Sequence, residues 1–326
     1  MRFDYYTRYR DSFKLLAHTD SRLLYGALVA CLVLLPVVGS AFVLGEVTYV
    51  FILCIAALGL MLLTGYTGQV SLGHAAFVAI GAYAHAWLMS NAIPLLVSIP
   101  VAGLITGFAG LLLGIPAIRV SGLYLAMVTM AFAIIVEQLI GHWESVTGGF
   151  TGMAVEPARI GDWSLASPTA FYYLCLAVLV MVLLGMINLL RSSIGRAFMG
   201  VRDSEAAAYS LGIHVRAVKV AAFAVSAGVT GIAGALIAHH LQYLTPDGFT
   251  LLLSLELVLM VVIGGVGSLR GAILGAVLIS MLPTAISRLK PLLPERMATQ
   301  FGLEIFVFGL ILALFVLFEP TGLNGR

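Results

Sequence analysis

The side chains that could do chemistry in this sequence are a few polar residues set inside long apolar stretches. They are Gln69, Ser71, His74, Tyr124, Thr129 and Glu137. In a bilayer a charged side chain costs about 2.5–3.5 kcal/mol on the insertion scale, so each polar residue needs a partner or a role. Two roles stay open: lining a path for a polar solute, or hydrogen bonding within the protein. For His74, which follows a glycine-rich break, we expect a bond that holds the break.

Catalytic and metal chemistry are not expected. No cluster of His, Asp or Glu and no Ser–Lys pair has the spacing of an enzyme site. Cys31, Cys54 and Cys175 lie inside apolar runs without a neighbouring ligand, so we predict buried thiols and neither a metal nor a cofactor. The sequence also lacks G-x-x-x-x-G-K-[ST], so it cannot hold ATP in a P-loop.

The amino-acid composition indicates whether the segments that carry these residues lie in water or in a lipid bilayer. Of 326 residues, 61% are hydrophobic and only 10% are charged. A soluble domain cannot hide so much apolar surface, whereas a membrane helix needs about 20 apolar residues. We therefore predict an all-α, polytopic transmembrane helical bundle of about ten spans. The predicted spans are 23–43, 47–64, 75–90, 93–114, 120–140, 168–190, 219–241, 250–266, 269–287 and 301–318.

The distribution of basic residues predicts the orientation. The tail 1–22 and the connection 191–219 carry the strongest basic clusters, so both should be cytoplasmic, and the permease domain proper should cover 23–326. The acidic connection 141–167 then falls outside. One conflict remains, because ten spans place Arg288, Lys290 and Arg296 outside, which points to a weak bias there or to a re-entrant or miscounted span at 269–287.

Glycine patterns predict broken helices and close helix contacts. The segments that begin at Gly65 and Gly264 both place glycines and a Ser-Leu pair near the start of a span, which indicates a weak internal repeat. Ordinary glycine-rich helix contacts would explain the same pattern. In the span 219–241, small residues recur every fourth position, which favours close backbone packing. These small residues are Ala224, Ala227, Gly228, Gly231 and Ala235.

The connection 191–219 is too long for a simple hairpin and predicts a short capped helix. Ser204 or Asp203 can cap its N-terminus, and Gly212 can end it in the left-handed conformation. Helices this short are marginal alone, so this one must lean on the membrane domain or on a partner.

Longer motifs carry a family resemblance. One motif resembles the Glu-Ala-Ala loop of ABC importer permeases: Glu205, Ala206 and Ala207, followed after four residues by Gly212. It departs from that loop in two ways, because the usual spacing before the glycine is three residues and the Ile-x-Leu-Pro ending is absent. Together with it, several stretches resemble the branched-chain amino acid ABC permeases of the LivM type. These are GQVSLGHAAFVAIGAY (68–83), VSGLYLAMVTMAFA (120–133), TGGFTGM (147–153), GRAFMGVRDSEAAAYSLGI (195–213), KVAAFAVSAGVTGIAGAL (219–236) and VIGGVGSLRGAILGA (262–276).

The resemblance implies a type II ABC importer-like permease of a bacterial inner membrane, with a cytoplasmic N-terminus. Its implied partners are a second, LivH-like permease, two cytoplasmic P-loop ATPases and a periplasmic substrate-binding protein. It also implies that the segment from Arg202 to Gly212 couples to the ATPase. The coupling residues expected are Arg202, Asp203, Ser204, Glu205, Ala206, Ala207 and Gly212.

Two questions stay open at this level. Thr147, Gly148, Gly149 and Gly152 are expected to form a flexible external turn that contacts the binding protein, with an ordinary solvated loop as the rival. The cargo is expected to be a branched-chain amino acid, but relatives carry urea, short amides and other amino acids. A self-sufficient, ion-coupled transporter is the alternative from another class, and it would need no cytoplasmic coupling segment.

Overall fold

The computed structural model describes residues 19–160, 163–164, 167–289 and a few positions near the C-terminus, namely 309–310, 313, 317 and 322–323. The chain divides into two compact units, Met1–Leu44 and Gly45–Arg326. The first unit contains α1 (Thr19–Val38) and the first residues of α2 (Ala41–Met61). All sites discussed below lie in the second unit.

The second unit is built from helices joined by short connections. After α2 and a π-helical turn at Leu62–Tyr66 come α3 (His74–Ser90), α4 (Leu95–Ala117), α5 (Leu123–His142), α6 (Glu144–Thr147), α7 (Pro168–Arg191), α8 (Ser193–Asp203), α9 (Glu205–Ser210), α10 (Val215–Leu241), α11 (Leu251–Gly264) and α12 (Leu269–Leu289). Short 3-10 helices cover Gly149–Thr151 and Pro246–Phe249. Four two-residue strands form two antiparallel pairs: β1 (Met153–Ala154) with β4 (Tyr243–Leu244), and β2 (Arg159–Ile160) with β3 (Trp163–Ser164).

Among the described residues, six helices are long and apolar enough to cross a membrane. They are Ala41–Tyr66, Leu95–Ala117, Leu123–His142, Pro168–Arg191, Val215–Leu241 and Pro246–Gly264. Two shorter apolar helices cover Gly26–Val38 and Leu269–Ala285. The chain is thus an all-α, polytopic membrane protein. The first nine predicted spans each overlap a helix, whereas most of 301–318, together with Lys290 and Arg296, lies outside the described residues.

The core of the second unit is α10 packed between α3 and α4. A side chain on Gly81 of α3 would collide with the backbone of Gly231, and one on Gly103 of α4 would lie 3.2 Å from the carbonyl oxygen of Gly228. Gly234 similarly leaves room for the carbonyl oxygen of Val78. Small residues let helix backbones approach closely in lipid. The predicted small-residue packing of the span 219–241 is confirmed.

The connections sort onto two opposite ends of the unit. β1 and β4 pair the connection after α6 with the connection after α10, so these two lie together at one end. Helices α8 and α9 connect the C-terminus of α7 to the N-terminus of α10. They therefore lie at the ends of α7 and α10 that are remote from the β1–β4 pair. At 1.5 Å per residue, 24 and 27 residues extend about 36 and 40 Å, which exceeds the hydrocarbon thickness of about 30 Å.

Candidate functional site

The break between α2 and α3 is a non-helical segment, 68–73, held by side chains from other helices. The backbone amide of Leu72 donates to Thr129 Oγ1 of α5 (2.9 Å), and the amide of Ala75 donates to Ser254 Oγ of α11 (2.9 Å). Just before the segment, Thr67 Oγ1 donates to the carbonyl oxygen of Leu63 (2.6 Å). Irregular backbone at membrane depth needs such internal partners, and here they come from two other helices.

His74 fastens this break to α10. The hydroxyl of Ser226 donates to the carbonyl oxygen of Gly59 (2.7 Å), so it must accept from Nε2 of His74 (2.9 Å). Nδ1 then accepts from Ser71 Oγ (3.0 Å), which assigns a neutral tautomer from the network. Both ring nitrogens are used and the residue is fully buried. His74 and Ser71 therefore make hydrogen bonds within the protein, which is one of the two roles that the sequence leaves open.

The other polar residues expected along a pathway do not form one cluster. Thr129 is fully buried; its hydroxyl donates to the carbonyl oxygen of Ala126 (2.9 Å) and accepts from the break, so it too is structural. Tyr124 is exposed and Glu137 is half-buried, but 13 residues separate them on one helix, about 20 Å. Gln69 is buried, and its Oε1 has no hydrogen-bond partner among the described residues.

A second break separates α11 from α12 at 265–268. Its glycines Gly265 and Gly267 have positive φ angles of 111° and 89°, which other residues rarely adopt. This break meets the first one in space, because a side chain on Gly65 would lie 2.5 Å from the backbone nitrogen of Gly267. The structure thus brings together the two segments that the sequence paired, although proximity does not test the internal repeat.

Helix α9 matches the predicted capped helix. Ser204 is its N-cap, since its side chain accepts from the amide of Ala207 (3.2 Å). At the other end Gly212 has a φ of 82°, and the amide of Ile213 donates to the carbonyl oxygen of Ala208 (3.0 Å). The predicted cap at Ser204 and stop at Gly212 are both confirmed.

Sequence reasoning missed α8, the helix that precedes α9. Its signal is Ser192, whose side chain accepts from the amides of Ile194 and Gly195 (3.2 and 3.4 Å), ahead of an amphipathic run. Phe198 of α8 is fully buried in the main apolar core beside residues of α3 and α10. Burying an aromatic side chain stabilises by about 1.5–3 kcal/mol, so α8 is anchored to the membrane part of the protein.

The predicted coupling residues divide into inward and outward groups. Glu205 forms an ion pair with Lys219 of α10 (2.6 Å), a residue without a sequence signal for this role that is only 6% exposed. Arg202 donates to the carbonyl oxygen of Gly65 (3.0 Å) and pairs with Asp203 (2.9 Å). Ala206, Ala207 and Gly212 are exposed, next to two residues that sequence reasoning missed: Tyr209, 76% exposed, and Leu211, 80% exposed.

The connection after α5, expected to be a flexible external turn, makes internal hydrogen bonds and a strand pair. Thr147 is buried, and its hydroxyl lies 2.6 and 2.7 Å from the carbonyl oxygens of Ile140 and Trp143. Gly148, Gly149 and Gly152 have φ angles of 74°, 63° and 85°. Just beyond them, β1 pairs with β4, and Tyr243 donates to the carbonyl oxygen of Thr151. Thr147 therefore shapes this loop from inside and presents no side chain to a partner.

No group of three or more His, Cys, Asp or Glu side chains in the described part of the chain could hold a metal ion. Buried Cys54 and Cys175 are free thiols, as predicted, but Cys31 is exposed, which corrects the prediction that all three are buried.

Comparison with known proteins agrees with this architecture. A family model described as "Branched-chain amino acid transport system / permease component" matches residues 42–317. The chain is 34% identical to the high-affinity branched-chain amino acid transport system permease protein LivM of Escherichia coli, over 91% of this chain and 74% of that protein. It is also 34% identical to LivM of Salmonella typhimurium, over 85% of this chain and 68% of the relative.

A more distant relative is the probable branched-chain amino acid transport permease protein LivH of Methanocaldococcus jannaschii, 23% identical over 86% of this chain and 91% of that protein. No solved structure matches the chain significantly. The family match spans nearly the whole described permease unit, breaks and α8–α9 included. The chain belongs to the family of branched-chain amino acid transport system permease components.

Proposed function

We propose that this chain is the membrane-spanning permease subunit of an ATP-driven importer for branched-chain amino acids. The observation that carries the proposal is the family match over 42–317, together with the LivM proteins of two bacteria. The bundle has about ten spans in a bacterial inner membrane, with the tail 1–22 and the segment 191–219 cytoplasmic and the connection 141–167 outside.

Helix α9 is the docking point for a cytoplasmic ATPase in this proposal. Ala206, Ala207, Tyr209 and Leu211 form its docking face, and they are exposed at the end of the unit opposite the β1–β4 connections. Burying an exposed Tyr or Leu side chain stabilises a contact by about 1.5–3 kcal/mol, which suits a small interface with a few dominant residues. Because the sequence has no P-loop of its own, ATP hydrolysis comes from two separate subunits.

The remaining partners are a second, LivH-like permease and a periplasmic binding protein. The similarity of this chain to a probable LivH protein supports a pair of related permeases that share one path. Tyr124 and Glu137 of α5, with the unpartnered Oε1 of Gln69, remain the candidate polar contacts along that path. The backbone of Gly148, Gly149 and Gly152 is the candidate contact for the binding protein.

Reconstitution of the whole complex tests the proposal. The permease is copurified with its ATPases and a second permease, and ATP hydrolysis and uptake are measured with leucine, urea or a short amide and the matching binding protein. Tyr209→Ser and Leu211→Ser should each lower stimulated hydrolysis about tenfold or more. Ser210→Ala is the matched control, since its hydroxyl donates only to its own helix at Ala206. Uptake by this chain alone, without nucleotide, would overturn the proposal.

A further inference from the structure

Arg202, the last-turn cation of α8, reaches out of the coupling segment into the membrane part of the protein. Its Nη1 donates to the carbonyl oxygen of Gly65 at 3.0 Å, across 137 residues of sequence. Its Nε and Nη2 lie 3.0 and 2.9 Å from one oxygen of Asp203. The guanidinium therefore bonds at once to a carboxylate at the end of its own helix and to a backbone carbonyl at the end of α2.

The carbonyl that Arg202 binds lies where the two glycine breaks meet. Gly65 belongs to the π-helical turn that precedes the first break, and it packs backbone to backbone against Gly267 of the second break. A side chain on Gly68 would lie 3.3 Å from Cγ of Arg202, and one on Gly267 would lie 3.5 Å from its Nη1. The arginine side chain thus lies against Gly68 and Gly267, one glycine from each break, and neither carries a side chain that would crowd it.

Helix ends explain why a cation belongs there. The last carbonyl groups of a helix have no donor within that helix, and a positive charge near them is favourable. Arg202 supplies both the donor and the charge to α2. The same side chain lies in the last turn of α8, so one guanidinium joins the ends of two helices. A displacement of α8 must either carry the end of α2 along with it or break this bond.

Resting on the function proposed above, we propose that Arg202 is the positioning residue that transmits movement of the coupling helices to the two glycine breaks. Its Nε, Nη1 and Nη2 each bond to Gly65 or Asp203, which directs the guanidinium toward the membrane part of the protein. Phe198 and the Glu205–Lys219 pair attach the coupling helices to the core and to α10. Arg202 alone among these attachments reaches a break, so it links the ATPase cycle to the opening of the path.

The test separates coupling from folding. In proteoliposomes with the complete complex, ATP hydrolysis and amino acid uptake are measured together, and their ratio is the readout. Arg202→Lys keeps the charge but cannot fork between two oxygens. We expect hydrolysis to stay nearly unchanged while uptake per ATP falls about tenfold or more, within the range of typical coupling between sites. Asp203→Asn, which removes the carboxylate that orients the guanidinium, should lower the ratio less.

Arg196→Lys is the matched control, because this arginine lies on the same helix and donates to a carbonyl at the same distance, 3.0 Å, but within its own neighbourhood at Arg191. The ratio of uptake to ATP hydrolysis for Arg196→Lys should equal that of the unaltered protein. An unchanged ratio for Arg202→Lys overturns the inference, and so does a parallel loss of hydrolysis and uptake, which would indicate a merely structural role. If the unaltered complex neither hydrolyses ATP nor transports, the proposed function fails instead.

Discussion

The ion pair between Glu205 and Lys219 should decide whether α9 stays folded. Helix α9 has only six residues, and helices this short are marginal alone. The Lys219 side chain is 8% exposed, whereas the Glu205 side chain is 53% exposed, so the two partners are not equivalent. Replacing Glu205 by Gln leaves a buried charge without its counter-ion, and replacing Lys219 by Met leaves only a solvated carboxylate.

The expected magnitude follows from the geometry. At 2.6 Å the gross attraction is about 6 kcal/mol for an effective dielectric constant of about 20. Because Glu205 is half exposed, water screens much of this, and the net loss for Glu205→Gln should be about 1–3 kcal/mol. If α9 opens locally, its opening constant rises roughly 5- to 150-fold. Lys219→Met should cost less, and the double variant should recover part of the loss of Glu205→Gln.

Hydrogen–deuterium exchange in lipid nanodiscs measures this opening. The informative amides are those of Ala208, Leu211 and Ile213, which bond within α9 and its caps. Glu156→Gln is the control, since this exposed glutamate lies in the β1–β2 connection and should leave α9 unaffected. Equal acceleration by Glu205→Gln and Lys219→Met would refute the argument that an unpaired buried ammonium causes the loss, and unchanged exchange in both would show that the pair does not hold α9.

Two further outcomes concern packing inside the membrane. Thr129→Val should lower the free energy of unfolding of the detergent-solubilised protein by about 1–3 kcal/mol, because it leaves the amide of Leu72 without its acceptor. Thr129→Ser keeps the hydroxyl and should keep the stability. Equal stability of the Val and Ser variants would contradict this. Gly81→Ala should lower the yield of folded protein by size-exclusion chromatography, because the added carbon meets the backbone of Gly231. Gly185→Ala, in open space on α7, should be neutral or gain about 0.5–1 kcal/mol, and similar losses for both would argue against backbone contact.

Local signals are enough to predict α9 and the six described helices that could cross a membrane. The cap at Ser204 and the stop at Gly212 depend on residues within one or two turns, and apolar runs of about 20 residues are read directly from the sequence. The same kind of signal at Ser192 marks α8, although the polar composition of 191–219 favours a connection. Helix boundaries and capping follow from neighbours along the chain.

Long-range pairing explains what the sequence could not reveal. Thr129 looked like a pathway residue because it lies on an apolar helix, yet its hydroxyl bonds the backbone of Leu72, 57 residues away. Arg202 and Glu205 looked like contacts for a partner, yet they bind Gly65 and Lys219. No periodicity in one segment reports which residue of another segment lies opposite. The strand pair that follows the turn near Gly148 is a further example, since β4, which pairs with β1, lies about 90 residues further on.

The direct backbone contact of α10 with α3 and α4 restricts how this protein can change shape. Where Gly81 and Gly234 bring main chains together, no layer of side chains can switch rotamers to let one helix slide past another. These three helices must then travel as one rigid body. The joints that connect this block to the other helices are 68–73, 118–122, 211–214 and 242–250, so we expect neighbouring helices to tilt there while the interior of the three-helix block stays unchanged.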